Sequence, residues 1–319
     1  MTPSTLFAFG ARVGSQRVRE RGVLAVVGVV AVVGLAACGA SSDPTKSSAS
    51  SAAGSTSVIV GSADFSESQV LAEVYAAALN AKGIKATTRP NIGSREIYLK
   101  ALDDKSVDLV PEYTGSLLSY LKKDATAKAS DEVYTALKSA LPATLTVLDK
   151  STAEDKNSIV VTKDTATKWS LTQIGDLVAH QSDVVIAAPP EFQSRQQGLV
   201  GLKAEYNLVP RDFRPLKGKA VVDALLNGQA QAANIFSTDP SIATNGFVTL
   251  ADPKLLFGSD NVVPLVRKDK VGDTLTAALN AVSAKLDTAT LTGLVKQVDV
   301  DKKDAAVVAK EFVGKVGLG

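Results

Sequence analysis

Residues 57–90 read SVIVGSADFSESQVLAEVYAAALNAKGIKATTRP, and this stretch decides the architecture. SVIVG at 57–61 is a short β-branched run, QVLAEVYAAALNAKG at 69–83 has helical spacing, and KATTRP at 85–90 returns to a strand pattern. The period switches from strand to helix and back, which defines a βαβ unit. Ser66, next to Glu67, is the expected N-cap, and Gly83 stands where a C′ glycine is expected.

Outward from this unit the alternation continues. A helix is expected near 94–102, a strand at 107–110, and two helices near 115–121 and 131–141. An α/β layered fold follows. A second set begins at Ser158-Ile159-Val160-Val161, with strands near 184–187 and 232–236 and helices around 197–205 and 219–227, and reads as a second α/β domain. The segment from about 271 to 316 is helical by its Ala, Leu, Val and Lys spacing. It has no strand partner of its own and is expected to pack back on the first domain. No internal repeat suggests a solenoid or propeller.

The N-terminus carries Arg12, Arg17, Arg19 and Arg21 ahead of an apolar run from Gly22 to Ala37. That is the pattern of a secretory signal. The run is shorter than the roughly 18 residues a spanning helix needs, and it ends in Leu35-Ala36-Ala37-Cys38. This ending resembles a bacterial lipobox, which implies cleavage before Cys38 and acylation of its thiol. Cys38 is the only cysteine, so no disulfide stabilises the fold. Residues 39–56, GASSDPTKSSASSAAGST, hold seven Ser and nothing that builds a core, and read as a flexible tether. A coil of this length spans on the order of 25 Å, enough to hold a domain off a membrane surface.

Removing residues 1–37 takes away four Arg and one Glu, so the formal charge falls from +2 to −1. No basic cluster remains to suggest nucleic acid as a partner. About 280 residues are left, above the usual size of one domain. An enzyme reading finds little support. One His and one lipidated Cys leave no Cys–His pair and no multi-His metal site. No Gly-x-Ser-x-Gly elbow, Walker or dinucleotide fingerprint occurs. Asp103-Asp104 beside Lys105 reads as a solvated turn, and His180 and Trp169 as fold or surface residues. Neither cofactor nor metal is expected.

Four stretches resemble the glycine betaine/choline/carnitine substrate-binding proteins of ABC importers, the ProX or OpuC type. They are Gly61-Ser62-Ala63-Asp64-Phe65-Ser66-Glu67; Val107-Asp108-Leu109-Val110-Pro111-Glu112-Tyr113-Thr114-Gly115; Ala188-Pro189-Pro190-Glu191-Phe192-Gln193-Ser194-Arg195 with the following Gly198-Leu199-Val200-Gly201-Leu202-Lys203; and Ala233-Asn234-Ile235-Phe236-Ser237-Thr238-Asp239. The second is highly specific. The resemblance implies a two-domain type II periplasmic-binding-protein fold with a ligand cleft between the domains. The first domain would comprise 57–155 plus 258–316 and the second 156–257, with crossings near Asp155 and Phe257. It also implies a monomeric, lipid-anchored protein on the outer face of a bacterial cell membrane. Such a protein takes up a small solute by domain closure. It delivers the solute to an ABC permease and its ATPase.

The family recognises a quaternary ammonium with a tyrosine cage, each ring face contributing about 0.5–2 kcal/mol. Tyr113 matches one cage position, and Phe236 keeps a ring at another. Asn157 and Asp260 stand where the family has two further tyrosines. Arg195 matches the carboxylate-clamping arginine, Ala63 replaces a lysine, Ser116 replaces a threonine, and Asp155 matches an acidic position near the cage. Asn157 and Asp260 also suit hydroxyl groups, so an alternative is the same clamp turned to a polyol, sugar or polyphenol, for uptake or sensing.

Overall fold

The computed structural model describes residues 57–319; Cys38 and the stretches read as leader and tether lie outside the described residues. The opening unit is as its periods imply. Strand β1 (Val58–Gly61), helix α1 (Ser66–Ala81) and strand β2 (Ala86–Arg89) follow in order, and β1 and β2 pair in parallel. Gly83 takes φ 79°, its N–H bonds Asn80 O, and Ile84 N bonds Leu79 O. These two bonds close a Schellman motif at the end of α1. The start of α1 differs from expectation by one residue. Phe65 is the N-cap and Ser66 is already helical, while Ser68 Oγ accepts from the Ala63 N–H at 2.9 Å and ties the preceding loop.

The first sheet continues through α2 (Arg95–Asp103), β3 (Leu109–Tyr113), α3 (Thr114–Leu121), α4 (Ser130–Ala140) and β4 (Leu145–Val147). Strand β3 runs on through Pro111-Glu112-Tyr113, past the expected end at 110, because β10 pairs along its whole length. The chain then crosses to a second sheet. There β5 (Ile159–Val161), α5 (Lys163–Trp169), β6 (Val185–Ala188), α6 (Leu199–Tyr206), β7 (Asp212–Pro215), α7 (Lys219–Leu226), β8 (Ala232–Asn234), α8 (Ser241–Thr244) and β9 (Val248–Thr249) follow. A second crossing returns to β10 (Val262–Arg267), and helices α9 (Asp273–Lys285), α10 (Thr288–Asp299) and α11 (Ala305–Lys315) complete the chain.

Strand order is β2-β1-β3-β10-β4 in one sheet and β7-β6-β8-β5-β9 in the other. In each, parallel strands meet antiparallel partners: β10 against β3 and β4, and β5 against β8 and β9. Every residue of β10 is buried, as expected for a strand covered on both faces. Its run VVPLVR lacks alternation and contains Pro264, which argues against a central strand, so sequence periodicity did not reveal it.

Helix α1 lies between β1 and the C-terminal helices. Its Leu71, Tyr75 and Leu79 share one buried cluster with Leu279, Val282, Leu291 and Phe312. The second sheet has its own clusters, around Ile159, Ile186 and Phe192 on one face and Val160, Val185 and Leu225 on the other. Two α/β layers with separate cores make this a two-domain fold. The two crossings run side by side: Glu154 bridges Asn261, and the Asp155 N–H donates to Asp260 O at 3.1 Å.

Candidate functional site

A cleft of about 660 Å³ separates the two lobes. The eight residues singled out in the sequence, Ala63, Tyr113, Ser116, Asp155, Asn157, Arg195, Phe236 and Asp260, all line it. They come from the β1–α1 loop, the β3–α3 junction, both crossings, the loop before α6 and the end of β8. The strand-to-helix junctions of both sheets thus converge where ligands bind in α/β folds.

Three rings form one wall. Phe65 lies 5.3 Å from Phe236 at 36° and 6.2 Å from Tyr113 at 30°, so it links the aromatic residues of the two lobes. Phe65 belongs to the opening motif but was not singled out; its only signal was one aromatic among small residues. Tyr113 ends β3 and is held at both polar groups. Its N–H donates to Glu112 Oε2 at 2.8 Å and its hydroxyl donates to Glu67 Oε1 at 2.7 Å. Burial first, then the neighbouring carboxylates, hold its phenol far above the usual range.

Glu112 anchors the first lobe's side of the cleft. Buried beneath it, Arg95 donates to Oε1 at 2.8 Å and Oε2 at 3.0 Å, and the Tyr98 hydroxyl donates to Oε1 at 2.6 Å. This is a bidentate, charge-assisted pair with its remaining lone pairs satisfied. Gly115 follows because the return crossing passes close by: a Cβ there would lie 2.3 Å from Ser259 O.

Asp260 was expected near the ligand in place of a ring. Both its oxygens are engaged by the start of α3, where Oδ1 accepts from the N–H groups of Gly115 at 2.7 Å and Ser116 at 2.9 Å, and Oδ2 meets Ser116 Oγ. A carboxylate satisfies the orphan N–H groups of a first turn. Burial outweighs these donors and pushes Asp260 up to about 7. Asp155 is buried in the first crossing. Its Oδ1 accepts from the Thr238 N–H at 3.1 Å and Ser237 Oγ at 3.3 Å, and burial with the nearby Glu67 raises it well above the carboxylate range.

Glu67, missed in the sequence, joins the lobes. Oε1 takes the Tyr113 hydroxyl and Oε2 takes Thr238 Oγ1 from the second lobe. Burial pushes it up to about 7. Arg195 also bridges, donating to both oxygens of Glu96 at 3.1 Å, while its Nε is buried without a partner. Two more links close the rim: Lys217 Nζ to Asp64 Oδ2 at 2.5 Å and Ser116 Oγ to Gln197 Oε1 at 2.9 Å. Asn157 donates weakly to the same Gln197 oxygen at 3.4 Å. Trp169 and His180 stack on each other at 4.6 Å and take no part in the cleft.

A two-lobed clamp whose cleft is lined by rings, buried carboxyls and two arginines defines a solute-binding protein of the periplasmic-binding class. Residues 56–315 match the family described as the substrate-binding domain of ABC-type glycine betaine transport systems, and the chain belongs to that family. It is 26% identical to the glycine betaine-binding protein YehZ of Escherichia coli, over 82% of this chain and 90% of that one. It is 23% identical to the carnitine transport binding protein OpuCC of Listeria monocytogenes, over 80% and 85%. The crystal structure of a glycine betaine/carnitine/choline ABC transporter protein superposes with a TM-score of 0.66 at 26% identity, covering 82% of this chain and 99% of that one. Lactococcal OpuAC closed on glycine betaine shares the fold, with a TM-score of 0.58 at 15% identity, covering 81% and 95%.

Proposed function

We propose that this protein captures a compact solute bearing a quaternary ammonium, such as glycine betaine, choline or carnitine, and delivers it to the permease of an ABC importer. In this reading, residues 57–155 with 258–316 form one half of the clamp and 156–257 the other. The observation that carries it is the ring wall of Phe65, Tyr113 and Phe236, built from both lobes beside a buried acidic surface. Ring faces attract a cation that has no proton to donate, and desolvation strengthens the attraction. Arg195, with one nitrogen unpartnered, suits a carboxylate at the other end of the solute. Acylation of Cys38 would hold the clamp at the outer face of the membrane as a monomer.

A second reading rests on size. About 660 Å³ is ample for a drug-sized molecule, more than the smallest betaine fills. One relative, 25% identical over 82% of this chain, is the ergothioneine transport permease/ergothioneine binding protein EgtU of Helicobacter pylori. A bulkier, ring-bearing or polyhydroxylated solute is therefore the alternative occupant. Calorimetric titration with glycine betaine, choline, carnitine, ergothioneine, sugars, polyols and polyphenols separates the readings. Micromolar binding of the small quaternary amines supports the first. Heat from ergothioneine alone keeps the quaternary-ammonium site and overturns only the compact solute, whereas heat from sugars, polyols or polyphenols alone overturns the first reading in favour of the second.

A further inference from the structure

Glu67 and Asp155 are both buried in the cleft wall and meet at Thr238, whose hydroxyl donates to Glu67 Oε2 and whose N–H donates to Asp155 Oδ1 at 3.1 Å. Two buried carboxyls held against the same residue oppose double ionisation, because like charges close together away from water favour one of them staying protonated. The groups around them do not relieve this. Tyr113, Thr238, Asp239 and Asp260 face the pair, and these are neutral or acidic. The cations lining the cleft are engaged elsewhere: Arg95 with Glu112, Arg195 with Glu96, Lys217 with Asp64, Lys219 with Asp223, and Lys302 with the Asp299 carbonyl. The pair therefore has no counter-ion from the described residues. Tyr113, whose ring forms the aromatic wall, donates its hydroxyl directly to Glu67. A cation on that wall comes within the range at which an opposite charge favours ionisation.

We propose that Glu67 and Asp155 hold one proton between them in the solute-free protein and that a cationic solute expels it to water on binding, so that the pair selects solutes by charge. The inference rests on the reading of the cleft as a quaternary-ammonium site. A neutral molecule of the same shape supplies nothing to replace the proton and leaves it in place. Burial holds both carboxyls above their usual range, so the proton is present at mildly acidic pH and is lost as pH rises through the raised value. Cation affinity accordingly falls on acidification, by up to about tenfold per pH unit below that value.

Calorimetry of the full chain with choline at pH 6.5, in phosphate and in imidazole buffer, reads the proton directly. The expected result is a buffer-dependent heat equivalent to release of up to one proton per choline, absent in Glu67→Gln and in Asp155→Asn. Each variant removes one of the two acids while keeping a side chain that can still hydrogen-bond, so if one fails to fold the other carries the readout. Heat that is independent of buffer, with affinity flat from pH 5.5 to 8, overturns the proton exchange and leaves solute capture standing. Failure of choline, glycine betaine and carnitine all to bind overturns both readings together.

Discussion

Arg195 reaches across the cleft and donates from one terminal nitrogen to both carboxylate oxygens of Glu96, each at 3.1 Å. The residue that the family resemblance assigns to a ligand carboxylate is thus held by a carboxylate of the opposite lobe. Such half-exposed pairs contribute only about 0–1 kcal/mol, so a solute displaces Glu96 at small cost. Arg195→Ala is expected to weaken glycine betaine and carnitine by about 10- to 150-fold, equivalent to about 1.5–3 kcal/mol for a charged hydrogen bond. Choline, which has no carboxylate, should change within a few fold. Glu96→Gln should tighten the carboxylate solutes by up to about fivefold. Parallel titrations check all three.

Phe65 touches the rings of both lobes, so its removal takes a face from the wall and the contact that links Tyr113 to Phe236. Phe65→Ala is expected to weaken choline by about 2- to 30-fold, on the about 0.5–2 kcal/mol of one cation–ring contact. A binding curve matching the unsubstituted protein would remove Phe65 from the site.

Glu112 accepts from Arg95, Tyr98 and the Tyr113 backbone while fully buried. Glu112→Ala leaves Arg95 as a buried charge without its partner and should cost about 3–5 kcal/mol of stability. Urea denaturation measures the loss.

Three buried carboxyls, Glu67, Asp155 and Asp260, are raised by burial, with Glu67 and Asp260 at about 7. The folded protein then keeps protons that the unfolded chain has already released above about pH 4, and this stabilisation disappears as pH rises through 7. The urea midpoint is expected to be higher at pH 5 than at pH 8, by a few kcal/mol in unfolding free energy. Asp260→Asn should flatten the slope. A midpoint that rises toward pH 8 would contradict raised carboxyls.

Cys38→Ser should release the protein from membranes without altering solute binding, because the cleft is built from residues 63–302. Fractionation of cells producing the variant checks this. A variant that still sediments with membranes would sink the lipobox reading.

Much of the fold was legible in local pattern. The strand–helix–strand period of 57–90 and the C′ glycine at 83 appear as read, because both follow from side-chain spacing and backbone freedom within one turn. Strand β10 was not legible, since a run buried on both faces loses alternation and Pro264 interrupts it. In the cleft, Tyr113, Arg195 and Phe236 were visible within short motifs. Glu67, Glu96, Phe65 and Gln197 were passed over because an acid, an amide or a single ring in a loop carries no periodic signal.

The sequence by itself determined the α/β order, the turn at Gly83 and the motifs that bring Ala63, Tyr113, Arg195 and Phe236 to one cleft. Only the tertiary structure decided what those residues do to one another. Asp260 became the partner of the α3 N-terminus, Arg195 that of Glu96, and Glu67 that of both Tyr113 and Thr238, the latter 171 residues from Glu67. The reason is physical: a carboxyl's charge state depends on burial and on neighbours brought together by long-range packing, and neither is a property of local sequence.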